Sequence, residues 1–298
     1  MRQFILRNKQ WFAYIVYCII VTGGLLYYRF PSDVLRDYVQ IRANNLSTPL
    51  FLSIGRMKPW PPFGLRLGQT EVSLKDKPDI KLFRADSLLL RVEAWPLLKG
   101  KGKYCFECLA YGGDLRGCIY FKKRGMTSPF DTEIELKNIR IGNYRYLKHA
   151  IGRHVDGILL GTVFYSGQYR NLIDGAGEAN LTLQDGRVEL LLPILTVGSI
   201  EFDEVKIDMV LKKQKINLAH FELKGPKLKG TLSGTIGLKR RLAKSTLELK
   251  GTIRPFASFF KGPEGLSRSM RFFKQRLRKG ALTFIIHGTL GEPKIKFT

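Results

Sequence analysis

From about Leu65 onward the chain alternates apolar and polar residues one by one. Ile134, Leu136, Ile139 and Ile141 alternate with Glu133, Glu135, Lys137 and Arg140, with a slip at Asn138. Val205, Ile207, Met209 and Leu211 alternate with Lys206, Asp208, Val210 and Lys212. Leu228, Gly230, Leu232, Gly234, Ile236 and Leu238 form a third such run, and Leu247, Leu249, Gly251 and Ile253 a fourth. A period of two sends alternate side chains to opposite faces, so each run predicts a strand with one buried and one wet face. Strands of that kind belong to antiparallel sheets. Gly112-Gly113-Asp114, Asp185-Gly186 and, without glycine, Lys212-Lys213-Gln214-Lys215 read as connecting turns. The expected fold class is mainly β, as an antiparallel meander.

The N-terminal quarter has a different rhythm. No charge interrupts residues 11–28, and eighteen helical residues span about 27 Å, close to the hydrocarbon thickness of a bilayer. Trp11, Phe12 and Tyr14 at one end, and Tyr27 and Tyr28 at the other, have the placing of interfacial belts, with Ile19 and Leu25 between them. A transmembrane anchor is expected; a cleaved signal peptide would want a small-residue site, and none follows Leu26. Pro31-Ser32-Asp33 then starts a helix running to about Asn45, with Val34, Leu35, Tyr38 and Ile41 on one face and Asp33, Arg36, Asp37 and Gln40 on the other. Such a helix either lies on the membrane surface or closes one end of the β body. Lys58-Pro59-Trp60-Pro61-Pro62-Phe63 breaks regular structure. The expected organisation is a tail over 1–10, an anchor over 11–28, an amphipathic helix and Pro-rich linker over 29–63, and a β-rich domain over 64–298.

Charge narrows the partners. Fifty Lys and Arg against 25 Asp and Glu leave +25, a field that draws polyanions. The basic residues are scattered along wet strand faces without a recognisable nucleic-acid-binding fold, so nucleic acid is not expected as a partner. Residues 264–279 read as a short basic helix, with Leu266, Met270, Phe273 and Leu277 as its stripe among Arg268, Arg271, Lys274, Arg276, Arg278 and Lys279. Met270, Arg271, Phe273, Lys274, Leu277 and Arg278 are its candidate lipid or membrane contacts. The alternative packs the stripe on the open end of the sheet. The positive-inside count is a near tie: Arg2, Arg7 and Lys9 precede the anchor and Arg29, Arg36 and Arg42 follow it.

Catalytic chemistry is thin. Cys105-Phe106-Glu107-Cys108 is a C-x-x-C with Cys118 ten residues beyond, but no second pair completes a zinc site. A three-residue hairpin loop at Gly112-Gly113-Asp114 would set Cys108 opposite Cys118, their Cβ atoms about 4.5–5.5 Å apart against about 3.8 Å in a disulfide. A Cys108–Cys118 disulfide, unpaired buried cysteines and a metal site all stay open. His149 and His154 are five apart, on different faces of a helix or a strand, and His220 and His287 stand alone. The chain has no G-x-S-x-G, no phosphate-binding glycine loop ending in Lys-Ser/Thr, and no H-E-x-x-H. No catalytic residue, metal or cofactor is expected.

Three segments share a Gly–turn–Gly–strand rhythm: Tyr111 to Ile119, Gly225 to Ile236 and Gly288 to Ile295. Repeated β units of this sort stack into one long curled sheet. Together with the tail, the single anchor, Phe30-Pro31-Ser32-Asp33-Val34-Leu35-Arg36-Asp37-Tyr38 and the closing Phe284 to Phe297, they resemble protein N of the type II secretion system (GspN) in its single-anchor form. The same patterns look like those of the wider AsmA/TamB group of periplasm-facing β-groove proteins. The resemblance implies a bacterial inner-membrane location with the main body in the periplasm. It implies one of two non-catalytic roles: a secretion-machine component contacting other machine proteins, or a lipid-binding or lipid-transfer module holding phospholipid acyl chains in an apolar groove. About fifteen strands at about 4.8 Å spacing would make that groove about 70 Å long.

Overall fold

The computed structural model describes residues 2–45, 50–98, 100, 102–123, 128–144, 146–147, 154–194, 197–260, 277 and 280–297. Helices α1 (Arg2–Tyr28) and α2 (Ser32–Asn44) precede the sheet, and the short α3 (Ala94–Leu98) lies within it. The strands are β1 (Leu50–Trp60), β2 (Gly64–Leu74), β3 (Lys77–Val92), β4 (Gly102–Ala110), β5 (Gly113–Phe121), β6 (Phe130–Arg140) and β7 (Val155–Gly167). They continue as β8 (Ala176–Ile194), β9 (Val197–Lys212), β10 (Lys215–Lys224), β11 (Leu228–Gly237), β12 (Thr246–Pro255), β13 (Leu282–Thr289) and β14 (Pro293–Phe297). All fourteen form one antiparallel sheet in strict chain order, open between β1 and β14.

Short local connections explain that order. Tyr111 and Gly112 both have positive φ, 54° and 77°, the backbone of a two-residue hairpin whose twist matches its strands. Lys213 and Gln214 do the same at 49° and 61° without glycine, so the Lys212–Lys215 turn forms as expected. The slip at Asn138 is a bulge, with Asn138 at φ 55° between two registers of β6 on β7. Asp185-Gly186, by contrast, is no turn: Asp185 takes φ 47° inside β8, which carries on past it against β9. An Asp-Gly pair supplies positive φ equally well to a bulge within a strand.

The Pro-rich stretch is likewise no linker. Its first residues end β1 and Pro61-Pro62-Phe63 close the β1–β2 hairpin, so the sheet begins at Leu50 rather than near residue 64. Proline is tolerated there because β1 is an edge strand, paired on one side only. The free side of β1 is taken by α2. Asn44 Oδ1 accepts the Leu52 N–H at 2.7 Å, Asn44 Nδ2 donates to the Leu52 carbonyl at 3.1 Å, and Gln40 Oε1 accepts the Ile54 N–H at 2.5 Å.

That docking rotates α2 away from its expected contact face. Leu35 and Val39 pack on Ile54, Met57 and Leu67, while Val34, Tyr38 and Ile41 stand 71, 63 and 62% exposed. Leu35 and Val39 lie at one margin of the docked face and Gln40 and Asn44 at the other, so packing and hydrogen bonding together leave Val34, Tyr38 and Ile41 outside it. Among the described residues no helix is long and apolar enough to cross a membrane. Of the expected anchor residues, Trp11, Tyr14, Leu25 and Tyr28 are exposed along α1, and the side chain of Ile19 lies outside the described residues.

Candidate functional site: the apolar face of the sheet

Register turns alternation within each strand into a continuous surface. One cross-strand row runs Pro59–Leu65–Leu90–Phe106–Gly117–Ile134–Val163 across β1 to β7. It continues Ala179–Met209–Leu218–Gly234–Leu249–Ile286–Ile295 across β8 to β14. One residue from every strand contributes, and none is polar. A parallel row on the same face runs Met57–Leu67–Leu88–Cys108–Leu115–Leu136–Gly161–Leu181–Ile207. Between the two, on the other face, lie Lys58, Arg66, Leu89, Glu107, Arg116, Glu135, Thr162, Asn180 and Asp208. The wet face holds exposed cross-strand ion pairs such as Lys81–Glu71 and Arg187–Glu201, both 2.8 Å, each contributing about 0–1 kcal/mol.

A sheet face this apolar normally packs on a second layer. Among the described residues α2 covers the β1–β3 end, and each strand otherwise packs chiefly on its sequence neighbours. Phe106, Ile134, Val163, Ala179 and Met209 are accordingly only half-buried. Buried clusters form where neighbouring strands fill in, as at Leu183, Phe202 and Val205, and at Leu218, Leu247 and Leu249.

Aromatic rings border the face over its first half. Tyr104, Phe121, Phe130 and Tyr165 form a file along one set of strand ends, with ring centroids 5.7, 5.9 and 5.7 Å apart. Phe83, Tyr111, Tyr144 and Tyr146 form another along the opposite ends, at 6.2, 5.2 and 6.0 Å. Burial pushes the Tyr111, Tyr144 and Tyr165 hydroxyls above the usual phenol range. The Tyr165 hydroxyl donates to the Leu172 carbonyl at 2.7 Å and the Tyr111 oxygen accepts the Arg84 N–H at 2.9 Å, so both polar tips are answered. On the face itself Thr132 turns its hydroxyl to the Cys118 carbonyl at 3.1 Å.

Glycines keep the floor low. Phe106 lies directly across from Gly117, Phe202 from Gly186 and Phe284 from Gly251. A Cβ on those glycines would stand 2.7, 2.3 and 2.3 Å from the opposing ring. The outer end of each ring therefore occupies the space a side chain on the glycine would fill.

The cysteines divide between the two faces. Cys105, not Cys108, is disulfide-bonded to Cys118, with Cα atoms 4.0 Å apart. The correction follows from the turn: a two-residue loop pairs Ala110 with Gly113 and so aligns Cys105 with Cys118 and Cys108 with Leu115. Cys108 is a buried free thiol on the apolar face, raised to about 11 by burial and then by Asp86. Cys18 is free and exposed on α1. Among the described residues no three His, Cys, Asp or Glu side chains cluster as metal ligands. A cavity of about 230 Å³ beside the Pro61-Pro62 turn is smaller than ordinary ligand clefts. Its charges are already answered, Arg91 by Glu107 and Glu93 by Lys103.

Of the expected lipid contacts, Met270, Arg271, Phe273, Lys274 and Arg278 lie outside the described residues, and Leu277 is half-buried. The aromatic files and the ring-over-glycine pairs escape a strand-by-strand reading, because both depend on register. No protein-family model, curated protein or solved structure matches the chain.

Proposed function

We propose that the chain is a membrane-tethered, non-enzymatic holder of lipid acyl chains, using the apolar face of its sheet as the contact surface. The observation that carries this reading is the row from Pro59 to Ile295, apolar on all fourteen strands and, among the described residues, without a second layer over most of its length. Burying methylenes is worth about 0.8 kcal/mol each, so ten of them supply roughly 8 kcal/mol without a covalent step. Thirteen inter-strand gaps at about 4.8 Å make the face roughly 60 Å across before twist and curl, enough for several acyl chains side by side. The aromatic files suit the borders of such a layer.

The tether is taken from the sequence, where the uncharged run 11–28 has the length and terminal aromatics of a bilayer span, although the described part of α1 is not by itself long and apolar enough for one. The body is assigned to the periplasmic side of a bacterial inner membrane on the resemblance alone. A role as a component of the type II secretion machinery rests on the same resemblance, with no geometric feature of its own.

Site-specific photocrosslinking in intact membranes tests the holder reading. A benzophenone side chain placed at Ile134, Val163 or Met209 is expected to give lipid adducts by mass spectrometry. The same group at the wet-face positions Glu133, Thr162 and Asp208 is expected to give few. Equal adduct yields on both faces, or none on either, would remove the proposal.

A further inference from the structure

The loops joining β7 to β8, β9 to β10, β11 to β12 and β13 to β14 share one edge of the sheet, and hydrogen bonds link each to the next. Gln214 Nε2 donates to Asp174 Oδ1 at 2.5 Å, and the Leu238 N–H to the Gln214 carbonyl at 2.7 Å. The Leu290 N–H reaches the Ser245 carbonyl at 2.8 Å and the Gly291 N–H the Ala243 carbonyl at 2.9 Å. The four loops form one continuous ridge.

Its side chains combine two properties. Lys212, Lys213 and Lys215 on the second loop, and Lys239, Arg240, Arg241 and Lys244 on the third, are all exposed, and none makes an ion pair among the described residues. Away from the ridge the cations of β9 and β10 are paired: Glu204 holds Lys206 at 3.3 Å and Lys224 at 3.4 Å. The acids of the ridge are Asp174, bonded by the amides of Asn171 and Gln214, and Glu292 in the last turn. Among the cations protrude three leucines on three different loops, Leu172, Leu242 and Leu290, exposed by 50, 58 and 50%.

We propose that this ridge docks onto the headgroup layer of an anionic lipid bilayer. Uncompensated cations alone would suit any polyanion, but leucines raised between them suit a layered partner. Phosphates meet the ammonium and guanidinium groups, and the boundary of the acyl region receives the apolar tips. A nucleic acid has no use for the leucines. The docking does not depend on what the apolar face holds.

The test uses the full chain in phosphatidylcholine nanodiscs, mixed with vesicles of phosphatidylcholine with or without phosphatidylglycerol and separated by flotation. Binding is expected only to the phosphatidylglycerol vesicles. At roughly fivefold per cation near an anionic surface, Lys213→Gln/Arg240→Gln/Arg241→Gln should weaken it about a hundredfold. Leu242→Ser/Leu290→Ser should weaken it about tenfold, with the circular dichroism spectrum unchanged in both. Lys58→Gln/Lys250→Gln/Lys296→Gln removes the same charge away from the ridge and should change binding less than about threefold. Equal losses in the ridge and control charge variants would overturn the proposal, reducing it to net charge. Unchanged vesicle binding by the leucine variant, with single-stranded DNA binding lost in the charge variant, would overturn it in favour of a nucleic-acid surface.

Discussion

Asn44 bonds both backbone groups of Leu52, accepting from its N–H at 2.7 Å and donating to its carbonyl at 3.1 Å. The amide side chain does what the next strand of the sheet would do. With Gln40 on Ile54, it closes an edge that would otherwise be open to pairing with another chain. Asn44→Ala is expected to cost roughly 1–2 kcal/mol. Hydrogen exchange should report it locally, with the Leu52 and Ile54 amides accelerated and those of β9 unaffected.

The rotation of α2 separates two sets of apolar residues. Leu35→Ala and Val39→Ala each remove packing from Ile54, Met57 and Leu67 and should destabilise by roughly 1–3 kcal/mol. Val34→Ser, Tyr38→Ser and Ile41→Ser, at exposed positions, should stay within about 0.5 kcal/mol. Urea unfolding of the five variants checks the division.

The disulfide register can be counted. Denatured without reductant, the chain should offer two thiols to maleimide, Cys18 and Cys108, and all four cysteines after reduction. Cys105→Ser should raise the unreduced count by one by freeing Cys118, and Cys108→Ala should lower it by one. Pairing of Cys108 with Cys118 would reverse both changes.

Cys108 also predicts a pH dependence. Its folded-state value of about 11 lies above the ordinary 9.0, because burial penalises the thiolate. The unfolded chain therefore ionises first. The stabilisation is complete below about pH 9, falls as pH rises from about 9 to about 11, and amounts to a few kcal/mol at most. Cys108→Ala should flatten that alkaline loss when urea midpoints are compared across the window. A residual slope is expected from Tyr111, which burial also raises.

The ring-over-glycine pairs predict coupled substitutions. A Cβ at Gly251 would meet only atoms of the Phe284 ring within its closest contacts, the nearest at 2.3 Å. Gly251→Ala should destabilise by about 1–3 kcal/mol. Adding Phe284→Leu should recover part of that loss, giving a coupling of about 1 kcal/mol in a double-mutant cycle.

Much of the sheet could be read strand by strand. Val205 to Leu211 and Leu247 to Ile253 announce their faces by alternation, and the slip at Asn138 marks its bulge. The face of α2 was harder, because Leu35, Val39 and the rejected Val34, Tyr38 and Ile41 are all apolar. Hydrogen bonds from Gln40 and Asn44 to the backbone of β1 helped break the tie. Asp185-Gly186 misled because the same dihedral serves a turn or a bulge.

Side-chain alternation is a local property, fixed by chain geometry at two residues per repeat, so the amino-acid order alone dictated β structure with one oily and one charged face. The partner opposite each residue is a property of the whole assembly. Only tertiary pairing could set Cys105 against Cys118, lay Phe106 over Gly117, and align Pro59 through Ile295 into one unbroken row. The deciding quantity in each case was loop length and backbone sign at a few turn residues: one residue more or fewer at Tyr111-Gly112 changes every cross-strand neighbour of β4 and β5.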